Sequence, residues 1–262
     1  MLTHVLYINV AAQVVRRAEM CRTLSACGVP DTCIHRIDAV DGRRFDSVSA
    51  MLDALVDAGY PEFGGSFALQ FEEARGTLGY MWSYRNALQW ICAFVGDGQV
   101  LVLIDDVHLV RPWADYVALA ESLANYEVIS LHNIIDLPIG TLCPEDNRFQ
   151  IGARCRGDSA IIYTASGAAA MLELMACYPY NYVESVYLDV RRASSRVKVS
   201  ICSSVEPVQA FSRNAWVDWR NDESYRKLVD KEDDFPELRQ MEEISMELLQ
   251  QIVYPEEDVC VL

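Results

Sequence analysis

The chain has 262 residues, 52% of them hydrophobic and 23% charged, enough apolar material for one large α/β domain or two small ones and too little charge for bulk disorder. A formal net charge of -16 excludes a nucleic-acid partner, which needs clustered Lys and Arg, and excludes docking on anionic lipid through a polybasic patch. The charge is uneven, because residues 222–262 hold 13 acidic and 4 basic side chains.

The first element is the β-type run His4–Asn9. Val14, Val15, Ala18, Cys21 and Leu24 then recur at helical spacing, and Gly28 with Pro30 supplies the stop. Cys33–Ile37 reads as a second strand, followed by a polar turn from Asp38 to Arg44. This β-α-β opening favours a parallel sheet with right-handed crossovers. A helix is expected over 47–58, a Gly/Pro-containing loop over 59–66, and a long helix over 77–95, with Leu78, Met81, Leu88, Ile91, Cys92 and Val95 on one face.

Val100 to Ile104 is an apolar run that enters Asp105-Asp106-Val107-His108, and it reads as one buried strand through His108. Open α/β sheets bind ligands at the carboxyl ends of their strands. Adjacent carboxylates there fit a divalent cation or a nucleotide, and fit equally an exposed acidic strand end.

Pro112 and Trp113 open a helix whose expected packing residues are Ala114, Val117, Leu119, Leu123 and Ala124. Strands are expected at 127–131, 159–164 and 196–201, a long irregular stretch at 133–158, and a helix over 167–177 capped by Ser166. Pro236 begins a last helix with an apolar stripe from Leu238 to Ile252. The division expected is a domain over 1–220 and an acidic helical extension over 221–262 that packs on it.

Nine cysteines are scattered without any C-x-x-C, which suits buried reduced thiols and a cytoplasmic setting. No segment has the length of a transmembrane helix, and no signal peptide is expected. No P-loop, no G-x-G-x-x-G after the first strand and no G-x-S-x-G elbow is present, which removes the kinase-type, dinucleotide and serine-hydrolase readings.

Seven stretches then occur in a familiar order. They are Ile8-Asn9-Val10 with Arg16-Arg17 downstream, Ile37 to Gly42 (IDAVDG), Gly76 to Tyr84 (GTLGYMWSY) and Leu103 to Val107 (LIDDV). Ala160 to Ala168, Tyr182 to Leu188 (YVESVYL) and Pro207-Val208-Gln209 complete the series. In this the chain resembles glycosyltransferase family 25, the lipooligosaccharide and collagen galactosyltransferases. It departs from the family pattern at Ile104, where the first acid of Glu-Asp-Asp is expected, at Tyr84 in place of His, at Glu184 in place of Asp, and at Ala12 and Gln13 in place of Arg.

The resemblance implies a GT-A-like (Rossmann-like), mostly parallel sheet flanked by helices. It implies transfer of galactose or glucose from a UDP-sugar to a hydroxyl of a glycan or protein acceptor, inverting and assisted by Mn2+ or Mg2+. A diphosphate leaving group builds charge that a hard cation on one or two carboxylates can offset. Asp106 is the first ligand expected, with Asp105 for the cation or the ribose, and His108 as a third ligand or a structural hydrogen-bonder. Donor contacts are expected from Asn9, from one of Arg16 and Arg17 (adjacent helical residues diverge by about 100°), and from Asp41, which otherwise closes its turn. Gly79 permits close approach, and Ser83 offers a hydroxyl to the donor or to the neighbouring loop. Glu184 is the expected general base, with Asp189 as the alternative. The competing expectation is a degenerate transferase fold that serves as a binding or scaffolding module.

Overall fold

The computed structural model describes residues 1–59, 74–105, 107–131, 141–142, 149–151, 159–177, 199–202 and 217–219. The chain separates into two compact units, Met1–Trp219 and Arg220–Leu262. The second unit lies outside the described residues, and with it the expected last helix.

The strands are β1 (Leu2–Asn9), β2 (Ile34–Asp38), β3 (Gln99–Ile104), β4 (Val107–Leu109), β5 (Val128–Ser130), β6 (Thr141–Leu142), β7 (Phe149–Ile151), β8 (Ala160–Thr164), β9 (Val199–Cys202) and β10 (Val217–Trp219). The helices are α1 (Val14–Ala26), α2 (Val48–Asp57), α3 (Ala74–Phe94), α4 (Trp113–Ser122) and α5 (Ala165–Cys177). Eight strands form one sheet in the order β2-β1-β3-β8-β5-β9-β7-β6. β1 runs parallel to both β2 and β3, whereas β8 is antiparallel to β3 and β5. β9 is parallel to β5 and β7 reverses again, so six of the eight strands point the same way. The expected mixed α/β fold with a mostly parallel sheet is what the chain forms.

Alternation along the central strands splits the core between two faces. Leu6, Ile8, Val100, Val102, Ile161 and Tyr163 pack with Tyr84, Leu88 and Ile91 of α3 and with Ala168 and Met171 of α5. Val5, Tyr7, Leu101, Leu103 and Ile162 pack on the other face with Met20 and Leu24 of α1, with Tyr116 and Leu119 of α4 and with Leu123 just past its end. Burial on both faces is why β3 reads as a solid apolar run rather than an alternating one. Among the described residues no helix is long and apolar enough to cross a membrane.

Five expectations are corrected by packing. Of the described cysteines, Cys21 and Cys92 are exposed and Cys27 and Cys33 are half-buried, so none of these four is the buried thiol expected, and Cys92 is off the packed face of α3. The buried stripe of α1 is Met20 and Leu24, while Val14 and Val15 are 53% and 66% exposed, because the helix docks rotated from its most apolar side. In α4 Tyr116 and Ala120 are buried, whereas Ala114 and Ala124 face solvent. Gly167 N–H donates to Thr164 Oγ1 at 3.0 Å, so Thr164 rather than Ser166 supplies the side-chain acceptor at the start of α5. Finally, the run from Val100 does not continue to His108 as one strand. It stops at Ile104, Asp105 lies in a turn, and β4 leaves to pair antiparallel with β10 in a separate two-stranded sheet.

Candidate functional site

The order β2-β1-β3 has the chain leave β1 to one side and later return on the other, so the carboxyl ends of β1 and β3 bound a topological switch point. Ile8 pairs with Ile104 in register, and the next residues on the two strands are Asn9 and Asp105. Asn9 Nδ2 donates to Asp105 Oδ2 at 2.5 Å and to the Gln13 carbonyl at 3.3 Å. Both residues are buried, at 1% and 9% exposure. Arg16, in the first turn of α1, brings Nη1 to 3.4 Å from the other oxygen, Asp105 Oδ1.

Around this pair lies a cavity of about 320 Å³. Its walls come from four places: Ile8 and Val10 at the end of β1, Gln13 and Arg16 at the start of α1, the 39–43 turn, and Gly76, Tyr80 and Ser83 on α3. Ile104 and Asp105 complete it. Ile104, which stands where the family pattern has an acid, contributes apolar wall beside Ile8.

The 39–43 turn is held from two directions. Asp41 Oδ1 accepts from Arg43 Nε at 2.8 Å and from the Arg43 backbone N–H at 3.1 Å, and Oδ2 accepts from Arg43 Nη2 at 2.9 Å. The hydrogen bond from the Arg43 side chain holds the Asp41 carboxyl below its ordinary range, against a smaller opposing effect of burial. Asp41 thus closes its turn while also lining the cavity. On the α3 side, Ser83 Oγ accepts from Val40 N–H at 2.8 Å and donates to the Gly79 carbonyl at 2.5 Å. A Cβ on Gly79 would lie 2.6 Å from the Val40 carbonyl oxygen, and one on Gly42 would lie 2.1 Å from that of Arg75. Of the two roles open to Ser83, the hydroxyl fills the one toward the loop.

The cavity therefore gathers Arg16, Asp41, Ser83 and Asp105 among its lining residues, with Asn9 directly behind Asp105 and Gly79 behind the turn. Arg17 is not among the lining residues. Its charge acts on Tyr7, whose hydroxyl is pushed up to about 12, chiefly by burial and by the Cys21 thiol, with Arg36 and Arg17 opposing. His108 Nδ1 sits 2.8 Å from Thr23 Oγ1, and His108 does not line the cavity. Asp106, Glu184 and Asp189 lie outside the described residues.

The sequence reasoning missed Arg43 and Tyr80. The Asp-x-Arg spacing within the expected turn is a signal for the first. For the second, Gly76, Tyr80 and Ser83 stand at helical i, i+4 and i, i+7 spacing on one face. The lining holds two carboxylates and two guanidinium groups, paired as Asp105 with Arg16 and Asp41 with Arg43.

The described residues do not assemble a cation cage. No three His, Cys, Asp or Glu side chains gather among them.

No family model matches the chain, and neither does any curated protein. Solved structures do. A glycosyltransferase involved in glycosylation of the major capsid of PBCV-1 is 12% identical, with 85% of this chain and 94% of that one covered and a TM-score of 0.46. The glycosyltransferase GlyE of Streptococcus pneumoniae TIGR4 is 13% identical over 76% of this chain and 45% of that one, with a TM-score of 0.38. Mouse xyloside xylosyltransferase 1 in its apo form is 10% identical over 78% and 85%, also at 0.38. All three likenesses are distant.

Proposed function

We propose that the chain is a GT-A-type glycosyltransferase related to family 25, transferring galactose or glucose from a UDP-sugar to a hydroxyl of a glycan or protein acceptor. The observation that carries this reading is convergence. Stretches far apart in the sequence that resemble the family (Ile8 to Val10 with Arg16, Ala39 to Gly42, Gly76 to Ser83, Ile104 with Asp105) all meet in one cavity at the sheet's switch point. Strand order alone brings the ends of β1 and β3 together; the meeting of the 39–43 turn and the 76–83 face of α3 with them is the part that supports the resemblance.

The chemistry follows from what lines the cavity. Asp105 offers carboxylate oxygens suited to ribose hydroxyls. Arg16, 43% exposed at its side chain, is a cation placed to meet a diphosphate, on which negative charge grows as the sugar leaves. The apolar wall of Ile8, Val10 and Ile104 accepts the flat face of a base or sugar, and burying it removes water from the transfer. Among the described residues the donors do not converge on a cation; Mn2+ or Mg2+ enters this reading through Asp106, with Asp105 beside it. Glu184, with Asp189 as alternative, is the base that the family likeness supplies.

Thermal shift of the full chain with UDP-, GDP- and CMP-sugars, each with and without Mn2+, tests the reading. UDP-sugars are expected to raise Tm, Asp105→Asn to abolish the rise, and mass detection to find released UDP. No response to any nucleotide sugar sinks the enzyme reading and leaves the binding-module alternative.

A further inference from the structure

We propose that Asn9 is a positioning residue, whose buried carboxamide orients the Asp105 carboxylate and through it holds the Arg16 guanidinium at the cavity for an anionic, phosphate-bearing ligand. The use of Arg16 on phosphate rests on the function proposed above, whereas the chain of positioning does not.

Asn9 is 1% exposed at the end of β1, next to core residue Ile8. Its orientation is set by its neighbours: Asp105 Oδ2 and the Gln13 carbonyl only accept, so Nδ2 must face both. Its Oδ1 is then left buried with no hydrogen-bond partner among the described residues. An orphaned buried acceptor is unfavourable, and an apolar side chain at this strand end would carry no such penalty. What the amide supplies there, and an apolar side chain would not, is its donor group, with the shorter contact going to Asp105 and the longer to the Gln13 carbonyl.

Asp105 needs that donor. Its side chain is 12% exposed, and a buried carboxylate is tolerated when paired and hydrogen-bonded. With Oδ2 fixed by Asn9, Oδ1 is presented to Arg16 at one place. A half-exposed guanidinium at 3.4 Å from a freely rotating carboxylate would be weakly ordered, since exposed ion pairs contribute little. Fixing the carboxylate narrows the positions from which the guanidinium pairs with it, and an ordered guanidinium is the group that recognises phosphate oxygens two at a time. The Gln13 contact adds a second tie, from the same amide to the residue that precedes α1.

The test uses phenylglyoxal, which modifies arginine, on the full chain, with fragmentation mass spectrometry separating Arg16 from its neighbour Arg17. Asn9→Leu is expected to speed Arg16 labelling by about fivefold or more, the factor for one net hydrogen bond of about 1 kcal/mol. Asp105→Asn is expected to do the same, the double variant to be no faster than Asp105→Asn alone, and Arg17 to label at its original rate throughout. Wild-type labelling of Arg16 in Asn9→Leu, or additive effects in the double variant, overturns the proposal. Where Asn9→Leu does not fold, the smaller Asn9→Ala, which also lacks a side-chain donor, takes its place. Titration with UDP reads the phosphate role: Asn9→Leu should weaken binding about fivefold or more, on the same single-bond footing, and unchanged affinity removes that role. Absence of UDP binding in the unaltered chain removes the donor reading and the phosphate role together, and the labelling series still decides whether Asn9 positions Arg16.

Discussion

Ser83 ties Val40 to helix α3: its hydroxyl accepts a hydrogen bond from the Val40 N–H at 2.8 Å and donates one to the Gly79 carbonyl. The pair is 43 residues apart in sequence, and it sets the distance between the 39–43 turn and the helix that faces it. Replacing Ser83 with Ala leaves the Val40 amide without its acceptor in a half-buried place. A loss of about 1–2 kcal/mol in urea unfolding is expected, with weaker UDP binding because one cavity wall loosens. Unchanged stability and affinity would show that the turn is held by other means.

Gly79 and Gly76 make a matched pair on the same helix. Ala is favoured over Gly in a helix interior by about 1 kcal/mol, but at Gly79 the new methyl would meet backbone atoms, the Val40 oxygen at 2.6 Å and the Gly42 nitrogen at 3.2 Å. Neither neighbour is a flexible side chain, so the turn must move. Gly79→Ala is expected to destabilise by about 1–3 kcal/mol, the usual penalty for overpacking, and to weaken UDP binding. Gly76 has nothing within 4 Å of a built Cβ. Gly76→Ala should be neutral or stabilising by up to about 1 kcal/mol. Calorimetric melting of the two variants checks both signs.

Tyr84 occupies the position where the family pattern carries a His, yet it does not face the cavity. It is fully buried, with its hydroxyl 3.2 Å from that of Tyr163 and the rings edge to face. Tyr84→Phe is expected to cost about 1 kcal/mol of stability and to leave nucleotide affinity where it was. A large loss of affinity at unchanged stability would place Tyr84 in the donor site after all.

His35 gives the fold a pH dependence on the neutral side of acid. Its ring lies 4.8 Å from Trp90 and 5.2 Å from His4, and burial first, then the His4 charge, lowers its pKa below 6.5. The unfolded chain therefore binds more protons in this range, and stability rises with pH. The contribution is complete above about pH 6.5 and is lost as pH falls through the lower folded value. Urea midpoints measured from pH 7.5 downward should decline, and His35→Phe, which keeps a ring against Trp90, should flatten the decline. Parallel curves for the two proteins would assign the acid sensitivity elsewhere.

Much of this was legible in the residues themselves. The apolar runs at β1, β3 and β8 announce strands, the Ser47 and Pro112 positions announce helix starts, and the Asp41-Gly42 step announces a turn, because each signal is local. Four of the motif stretches also contribute residues to the lining of the cavity. Their order did not tell which of two adjacent arginines faces inward. Helical geometry makes Arg16 and Arg17 diverge, but the choice depends on how α1 is rotated against the sheet, and that rotation buries Met20 and Leu24 rather than the more apolar-looking Val14 and Val15.

The acidic strand end shows the same division. Its apolar run and its two carboxylates are a property of the sequence, and so is their place at the carboxyl edge of a parallel strand. That the strand stops at Ile104, that Asp105 turns to the Asn9 amide 96 residues away, and that His108 goes to Thr23 are decided by tertiary structure alone. Propensity and periodicity are set by near neighbours along the chain, whereas a buried carboxylate takes whichever donor the folded sheet and its covering helices bring within reach.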